Sequence, residues 1–184
     1  MYFARYFLLL SVLLWWASPS LALAALTVGD KAPDFTVDAS QGGKVFSFEL
    51  AKALKKGPVV LYFYPAAFTH GCTLEAHNFA EAVDDFKAQG AMILGISHDS
   101  LETLNKFSIS ECRSKFAVGA DTNGDIMKAY DAVMMPSLLG LSTRTSYVIA
   151  PDHTILYVYS AMDPDQHVAN TLQALRAWRG HRLP

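Results

Sequence analysis

The sequence predicts an α/β sandwich in which helices flank a central mixed sheet. The run VVLYFY at residues 59–64 is continuously apolar, β-branched and aromatic. Such a run is typical of a central strand that is covered on both faces. From Cys72 the apolar residues recur in steps of four and three, and this helical stripe ends near Gly90. A buried strand followed directly by an amphipathic helix is typical of an α/β domain.

The elements around this pair follow in chain order. DFTVDA (34–39) and KVFSFEL (44–50) flank the turn SQGGK, which predicts a β-hairpin, and residues 50–55 predict a short helix. After the long helix, AMILGIS (91–97) is a second buried strand. Asp99 and Glu102 then form a capping box that predicts the start of another helix.

The last third of the chain completes the pattern. GDIMKAYDA (124–132) predicts a short helix, and RTSYVIA (144–150) and TILYVYSA (154–161) predict two strands joined by the turn PDH. Residues 165–178 predict a final helix. Strand, helix, strand, helix, hairpin and helix is the order of a thioredoxin-like sandwich.

Residues 1–24 resemble a secretory signal. They contain a short segment with one positive charge, an apolar run and a small-x-small cleavage site, so we expect cleavage after Ala24. The apolar run of about a dozen residues is short for a membrane span, although an uncleaved signal would tether the protein. We expect export to the periplasm or an equivalent oxidising space. Residues 25–184 contain no repeat or linker and predict a single domain.

The charge balance argues against a nucleic-acid partner. The chain has 15 Lys and Arg residues against 17 Asp and Glu, a net charge of −2. The one basic cluster, at residues 176–182, falls at the end of the last helical pattern, where positive charges complement the helix dipole. We therefore expect no nucleic acid, and no membrane contact once the signal is removed.

The chain has two cysteines, Cys72 and Cys112, and export allows such a pair to be oxidised. Either they form a permanent disulfide or at least one of them reacts. Thr69 is well placed to be the N-cap of the helix that carries Cys72. The unpaired N–H groups and the positive end of the helix dipole would then favour an ionised, nucleophilic thiol. The alternative is an inert, buried cysteine.

Five ordered blocks of the sequence resemble the peroxiredoxins, and most closely the group of the bacterioferritin comigratory protein, or PrxQ. The segment VVLYFYPAAFTHGCTLEAHNF contains the signature P-x-x-x-T-x-x-C as Pro65, Thr69 and Cys72. The other four blocks are VGDKAPDFTV (28–37), GISHDS (95–100), DTNGDIMKAYD (121–131) and RTSYVIAPDHTI (144–155).

The resemblance implies a thiol peroxidase without metal or organic cofactor. Cys72 would be the peroxidatic cysteine, which attacks the O–O bond and becomes a sulfenic acid. Thr69 would hydrogen-bond the peroxide, and Pro65 would shield the sulfur from water. Arg144 would be the positive charge beside sulfur and substrate, and Glu75 would orient that arginine; a solvated helix carboxylate is the alternative for Glu75.

The chain departs from the group's pattern at one position. Many members carry a second cysteine five residues after the first, and His77 stands there instead. Cys112 is then the candidate resolving cysteine, near the end of the helix that follows the second strand. Cys112 could instead be an uninvolved thiol, with an external thiol completing turnover.

The histidines allow a rival interpretation. His70, Cys72 and His77 could form a copper or zinc site, but the C-x-x-x-C pair of such proteins is missing and the spacing is poor. We therefore interpret His70 and His77, together with His98, as solvated or supporting residues. A metal-binding or redox-sensing protein without turnover is the alternative to a monomeric peroxidase that uses peroxide and a thioredoxin-like or small-thiol reductant.

Overall fold

The computed structural model describes residues 26–134 and 140–180 as one seven-stranded mixed sheet with helices. The strands are β1 (Thr36–Gln41), β2 (Lys44–Glu49), β3 (Val59–Phe63), β4 (Met92–Ser97), β5 (Ala117–Ala120), β6 (Thr145–Ile149) and β7 (Ile155–Ser160). The helices are α1 (Leu50–Leu54), α2 (His70–Ala88), α3 (Leu101–Ser110), α4 (Asp125–Ala129) and α5 (His167–Gly180).

The strand order in the sheet is β2-β1-β5-β4-β3-β6-β7. The three inner strands β5, β4 and β3 are parallel, whereas the β1–β2 and β6–β7 hairpins pair antiparallel on either side. This arrangement confirms the predicted mixed sheet of the thioredoxin-like sandwich. It also brings the start of β6 beside the end of β3, since Thr145 pairs with Phe63.

Strand β3 separates two apolar cores. Val59, Leu61 and Phe63 point into one core, and Val60 and Tyr62 point into the other. This alternation explains why every residue of the strand is apolar. The second core lies under α2, α3 and α5, and it contains both cysteines.

Helix α2 follows the predicted stripe. Its buried side chains include Cys72, Ala76, Phe79, Val83 and Phe86, the five positions that step by four and three along the sequence. Thr69 is the N-cap residue, as predicted, although its side chain makes no capping hydrogen bond. The stripe therefore fixes Cys72 on the buried face of the first helical turn.

Two sequence-based expectations need correction. The sequence pattern does not predict β5, because its four residues AVGA include alanine and glycine, which have low β propensity. The pattern also places the start of α3 one residue too early. Ser100, not Asp99, is the N-cap, and its hydroxyl oxygen accepts a hydrogen bond from the N–H of Thr103 at 3.2 Å. Glu102 contacts Lys106 on the helix surface instead of closing a capping box.

The predicted signal segment, 1–24, lies outside the described residues. Within residues 26–134 and 140–180, none of the helices is both long and apolar enough to span a bilayer.

Candidate active site

The site lies where β3 passes into α2. The strand ends at Phe63, a six-residue loop follows, and the helix begins at His70. Cys72 is the third helical residue and is 2 % exposed. The N–H groups of residues 70–72 donate no hydrogen bond within the described parts of the chain, and Thr73 is the first to bond back into the helix. The thiol therefore sits among unpaired donors at the positive end of the α2 dipole.

Asp99 holds the loop that precedes the helix. Its Oδ2 accepts hydrogen bonds from the N–H of Ala67 at 2.7 Å and from the hydroxyl of Ser97 at 2.8 Å. Phe68 has a φ of 63°, unusual for a large side chain, and its ring packs edge-on against Phe107 at 5.2 Å. The carboxylate at the end of β4 thus fixes the backbone conformation from which α2 starts. The sequence pattern contained Asp99 but assigned it to the wrong element.

Arg144 reaches Cys72 from the neighbouring strand. It directly precedes β6, and its Nη2 donates to the Cys72 Sγ at 3.5 Å. Nε donates to the carbonyl oxygen of Met162 at 2.9 Å, and Nη1 donates to Glu75 Oε2. A Cβ added to Gly71 would lie 3.1 Å from Nη2, so the guanidinium packs closely against the helix backbone.

Glu75 is fully buried in the second turn of α2, so a solvated carboxylate is the wrong description. Burial raises the pKa of Glu75 to about 8, against the opposing effect of Arg144. Its second oxygen, Oε1, accepts no hydrogen bond within the described residues. The carboxyl group therefore lies between a guanidinium that favours its charge and a core that disfavours it.

His167, a residue that the sequence did not single out, lies on the other side of Glu75. Its Nε2 lies 2.9 Å from the carbonyl oxygen of Ala161, so this nitrogen carries the proton. Burial lowers the pKa of His167, and in the neutral ring Nδ1 accepts from the Ser146 hydroxyl at 2.8 Å. Glu75 Oε1 is 3.7 Å from Nδ1 and receives no proton from it.

Thr69 and Pro65 complete the set that the sequence singled out. Thr69 is exposed, and its hydroxyl donates to the carbonyl oxygen of Ala66 at 2.9 Å, which leaves the oxygen lone pairs as acceptors. Pro65 is half-buried at the start of the loop. The structure brings Arg144 into direct contact with both Cys72 and Glu75, and it places Thr69 at the start of the helix that carries these two residues.

Cys112 lies two residues beyond the end of α3 and is fully buried. Both cysteines are free thiols. Burial raises the pKa of Cys112 well above its usual range, and the neighbouring Glu111 acts in the same direction. The Cys112 thiol is therefore protonated and inaccessible in this conformation.

The histidines near Cys72 lie apart from one another. His70 is exposed at the first position of α2, and His98 Nδ1 lies 3.0 Å from the carbonyl oxygen of Asp121. His77 is half-buried, and its Nε2 lies 2.8 Å from Glu111 Oε2. In the described segments, no three His, Cys, Asp or Glu side chains group around a common point that could hold a metal ion.

Known proteins are similar to this chain in sequence and in fold. The AhpC/TSA family model matches residues 28–158. Chloroplastic peroxiredoxin Q of Sedum lineare is 34 % identical over 157 residues, which cover 84 % of this chain and 80 % of that protein. Peroxidoxin BcpB of Mycobacterium tuberculosis has a solved structure with 34 % identity and a TM-score of 0.74, over 82 % of this chain and 96 % of that one. The solved structure of PrxQ of Xylella fastidiosa shares the fold, with a TM-score of 0.76 at 22 % identity. The match covers 85 % of this chain and 99 % of that one. The chain therefore belongs to the AhpC/TSA family and is a peroxiredoxin of the Q/bcp type, a thiol-dependent peroxidase.

Proposed function

We propose that the protein reduces hydrogen peroxide and small organic hydroperoxides through a sulfenic acid on Cys72, which Cys112 then resolves as an intramolecular disulfide. The observation that carries the proposal is the 3.5 Å approach of the Arg144 guanidinium to the Cys72 sulfur, at a helix start with unpaired N–H groups. Positive charge and free donors meet at one sulfur atom. A nucleophilic thiolate needs this environment.

The first step transfers one oxygen atom from the peroxide to sulfur. The Cys72 thiolate attacks the nearer peroxide oxygen, the S–O bond forms, and the O–O bond breaks. The departing oxygen carries the electron pair and takes up a proton to leave as water or an alcohol. Arg144 and the N–H groups of the first helical turn stabilise the charge that develops on these oxygens. The Thr69 oxygen accepts a hydrogen bond from the incoming O–H group.

The second step closes the disulfide. The Cys112 sulfur attacks the sulfenic sulfur of Cys72, the S–S bond forms, and the S–O bond breaks with release of water. Because both thiols are buried, the first turn of α2 and the segment around Cys112 must open for the two sulfur atoms to meet. A thioredoxin-like or small-thiol donor then reduces the disulfide and is itself oxidised.

One experiment tests both steps. The reduced protein is treated with one equivalent of hydrogen peroxide, and the products are followed by intact mass and thiol titration. The parent should lose both free thiols, and its mass should fall by about 2 Da because one disulfide forms with the loss of two hydrogen atoms. Cys112→Ser should stop at the sulfenic acid after one turnover, and Cys72→Ser should not react. Peroxidase activity in Cys72→Ser would refute the assignment.

The signal-like sequence of residues 1–24 supports export to the periplasm or a comparable oxidising space. Amino-terminal sequencing of the protein from its native host should begin at Ala25. An intact Met1 would contradict cleavage. We also propose that the protein is a monomer, and light scattering of the reduced and oxidised protein tests this.

A further inference from the structure

Two side chains of α2 hold the segment that carries Cys112. This segment, residues 111–115, lies in the connection between α3 and β5. The imidazole Nε2 of His77 lies 2.8 Å from the carboxylate of Glu111, the residue before Cys112. One turn further along the helix, Glu81 accepts a hydrogen bond from Arg113, the residue after Cys112, at 3.2 Å. The two contacts therefore flank the second thiol and tie it to the helix of the first.

The segment they hold has a strained backbone. Arg113 and Ser114 have φ angles of 51° and 59°, so two consecutive residues other than glycine occupy the left-handed region. This conformation is unfavourable for side chains with a Cβ and persists only where the surroundings enforce it. Backbone hydrogen bonds from Ser114 to Ser108 and from Lys115 to Cys112, both 2.9 Å, close the turn.

We propose that the His77–Glu111 and Glu81–Arg113 contacts form a latch that controls release of the Cys112 segment for disulfide formation. The inference rests on the proposed resolving role of Cys112. His77–Glu111 is the main contact, because its side chains are 34 % and 18 % exposed. Glu81–Arg113 is secondary, because its side chains are 66 % and 43 % exposed and water screens the charges.

The latch acts on a competition between two reactions of the oxidised Cys72. The sulfenic acid is either captured by Cys112 or oxidised further by a second peroxide. Since Cys112 is fully buried, capture waits for the segment to open, and opening also relieves the strained turn. Many sequences of this group have a resolving cysteine at the position of His77. In this chain His77 instead restrains the segment that carries Cys112.

The first test measures opening without catalysis. In a Cys72→Ser background, Cys112 is the only thiol, and its alkylation by N-ethylmaleimide under native conditions reports how often the segment opens. His77→Ala should raise the rate about tenfold, equivalent to about 1.4 kcal/mol. Glu81→Gln should raise it about twofold, as expected for an exposed pair. A His77→Ala rate equal to that of the background would overturn the proposal.

Two controls separate the latch from general loss of stability. Lys106→Ala removes an exposed ion pair with Glu102 on α3 that does not reach α2, and it should leave the alkylation rate unchanged. Ile155→Ala truncates a fully buried side chain of β7 in the other core, which contains neither cysteine. If Ile155→Ala raises the rate as much as His77→Ala at equal loss of unfolding free energy, the effect is global and the latch is refuted.

The second test uses the protein with both cysteines. After one equivalent of hydrogen peroxide, His77→Ala should form the disulfide several times faster than the parent, and it should need more peroxide to reach the sulfinic acid. A parent that never forms the disulfide would overturn the resolving step itself. A parent that forms it at the same rate as His77→Ala would leave the resolving step intact and overturn the latch alone.

Discussion

The guanidinium of Arg144 lies 3.5 Å from the sulfur of Cys72, and the same side chain also contacts Glu75 and the Met162 carbonyl. Each of its three nitrogens donates to a different group, so these hydrogen bonds fix the orientation of the planar guanidinium. One arginine therefore connects helix α2, the start of β6 and the connection after β7. Its position relative to the sulfur depends on all three.

Arg144→Lys tests whether this geometry matters beyond the positive charge. A lysine retains the charge but cannot donate in three fixed directions, so we expect the second-order rate constant for hydrogen peroxide to fall about 10²-fold. Stopped-flow measurement of the first turnover gives this constant directly.

Arg176→Lys is the matched control, since Arg176 is exposed on α5. It should retain the parent rate constant. An Arg144→Lys protein within about twofold of the parent would show that charge alone is sufficient, because a loss of less than about 0.5 kcal/mol is typical of surface substitutions.

Gly71→Ala separates helix stability from reactivity. Alanine is favoured over glycine in a helix by about 1 kcal/mol. Its methyl group, however, would lie 3.1 Å from the Arg144 nitrogen that faces Cys72. We expect an unfolding free energy equal to or above that of the parent and a peroxide rate constant about tenfold lower, the effect of a group displaced from its optimum.

Gly180→Ala, near the end of α5, is the control for Gly71→Ala because an added methyl group there meets no atom within 4 Å. It should leave the rate constant unchanged. A Gly71→Ala protein that keeps full activity would show that Arg144 can shift without loss.

The strongly periodic parts of the fold were predictable from sequence. The apolar run of β3 and the stripe of α2 repeat the same signal over several residues, and both lie where the pattern placed them. Strand β5 could not be found in this way, because four small residues carry no periodicity and its place comes from pairing with β1 and β4. The sequence does not distinguish Ser100 from Asp99 as the N-cap of α3, because serine and aspartate have similar N-cap preferences.

In the candidate site, too, residues that depend on local structure were predictable and residues that depend on the tertiary fold were not. Cys72 and Thr69 were predictable from local structure, since a helix start needs only neighbouring residues. Arg144 and Glu75 were placed by resemblance to a family, because their contact depends on the tertiary fold. The sequence gives no indication of His167 or of the Met162 carbonyl. A buried histidine has no characteristic sequence pattern, and every residue has a backbone carbonyl group.

Asp99→Ala tests the carboxylate that holds the active-site loop. The substitution leaves the N–H of Ala67 and the hydroxyl of Ser97 without their acceptor. We expect the unfolding free energy to fall by about 1–3 kcal/mol, as for other unsatisfied buried groups. The peroxide rate constant should fall too, because the loop sets the start of α2. Urea denaturation and first-turnover kinetics measure the two effects.

Glu102→Ala is the control for Asp99→Ala, because Glu102 only pairs with Lys106 on the surface. It should change the unfolding free energy by less than about 0.5 kcal/mol. If Glu102→Ala lowered the unfolding free energy as much as Asp99→Ala, the result would support the capping box of Asp99 and Glu102 that the sequence predicts.

Glu75→Gln should remove a pH dependence of stability. Burial raises the pKa of Glu75 from 4.5 to about 8, with Arg144 opposing. Between these values the folded protein binds a proton that the unfolded chain does not. The stability that this proton contributes is therefore complete below pH 4.5 and is lost as the pH rises through about 8, with a slope of at most about 1.4 kcal/mol per pH unit.

The measurement is urea denaturation of the parent and of Glu75→Gln at several pH values between about 7 and 9. This range lies above the ordinary pKa of histidine, near 6.5, so the buried His167 does not contribute to the pH dependence. The parent should lose stability relative to the variant across this range, because glutamine does not titrate. Glu102→Gln, at an exposed carboxylate, should follow the parent. Parallel curves for the parent and Glu75→Gln would mean that Glu75 is already ionised at neutral pH and that Arg144 outweighs the cost of burial.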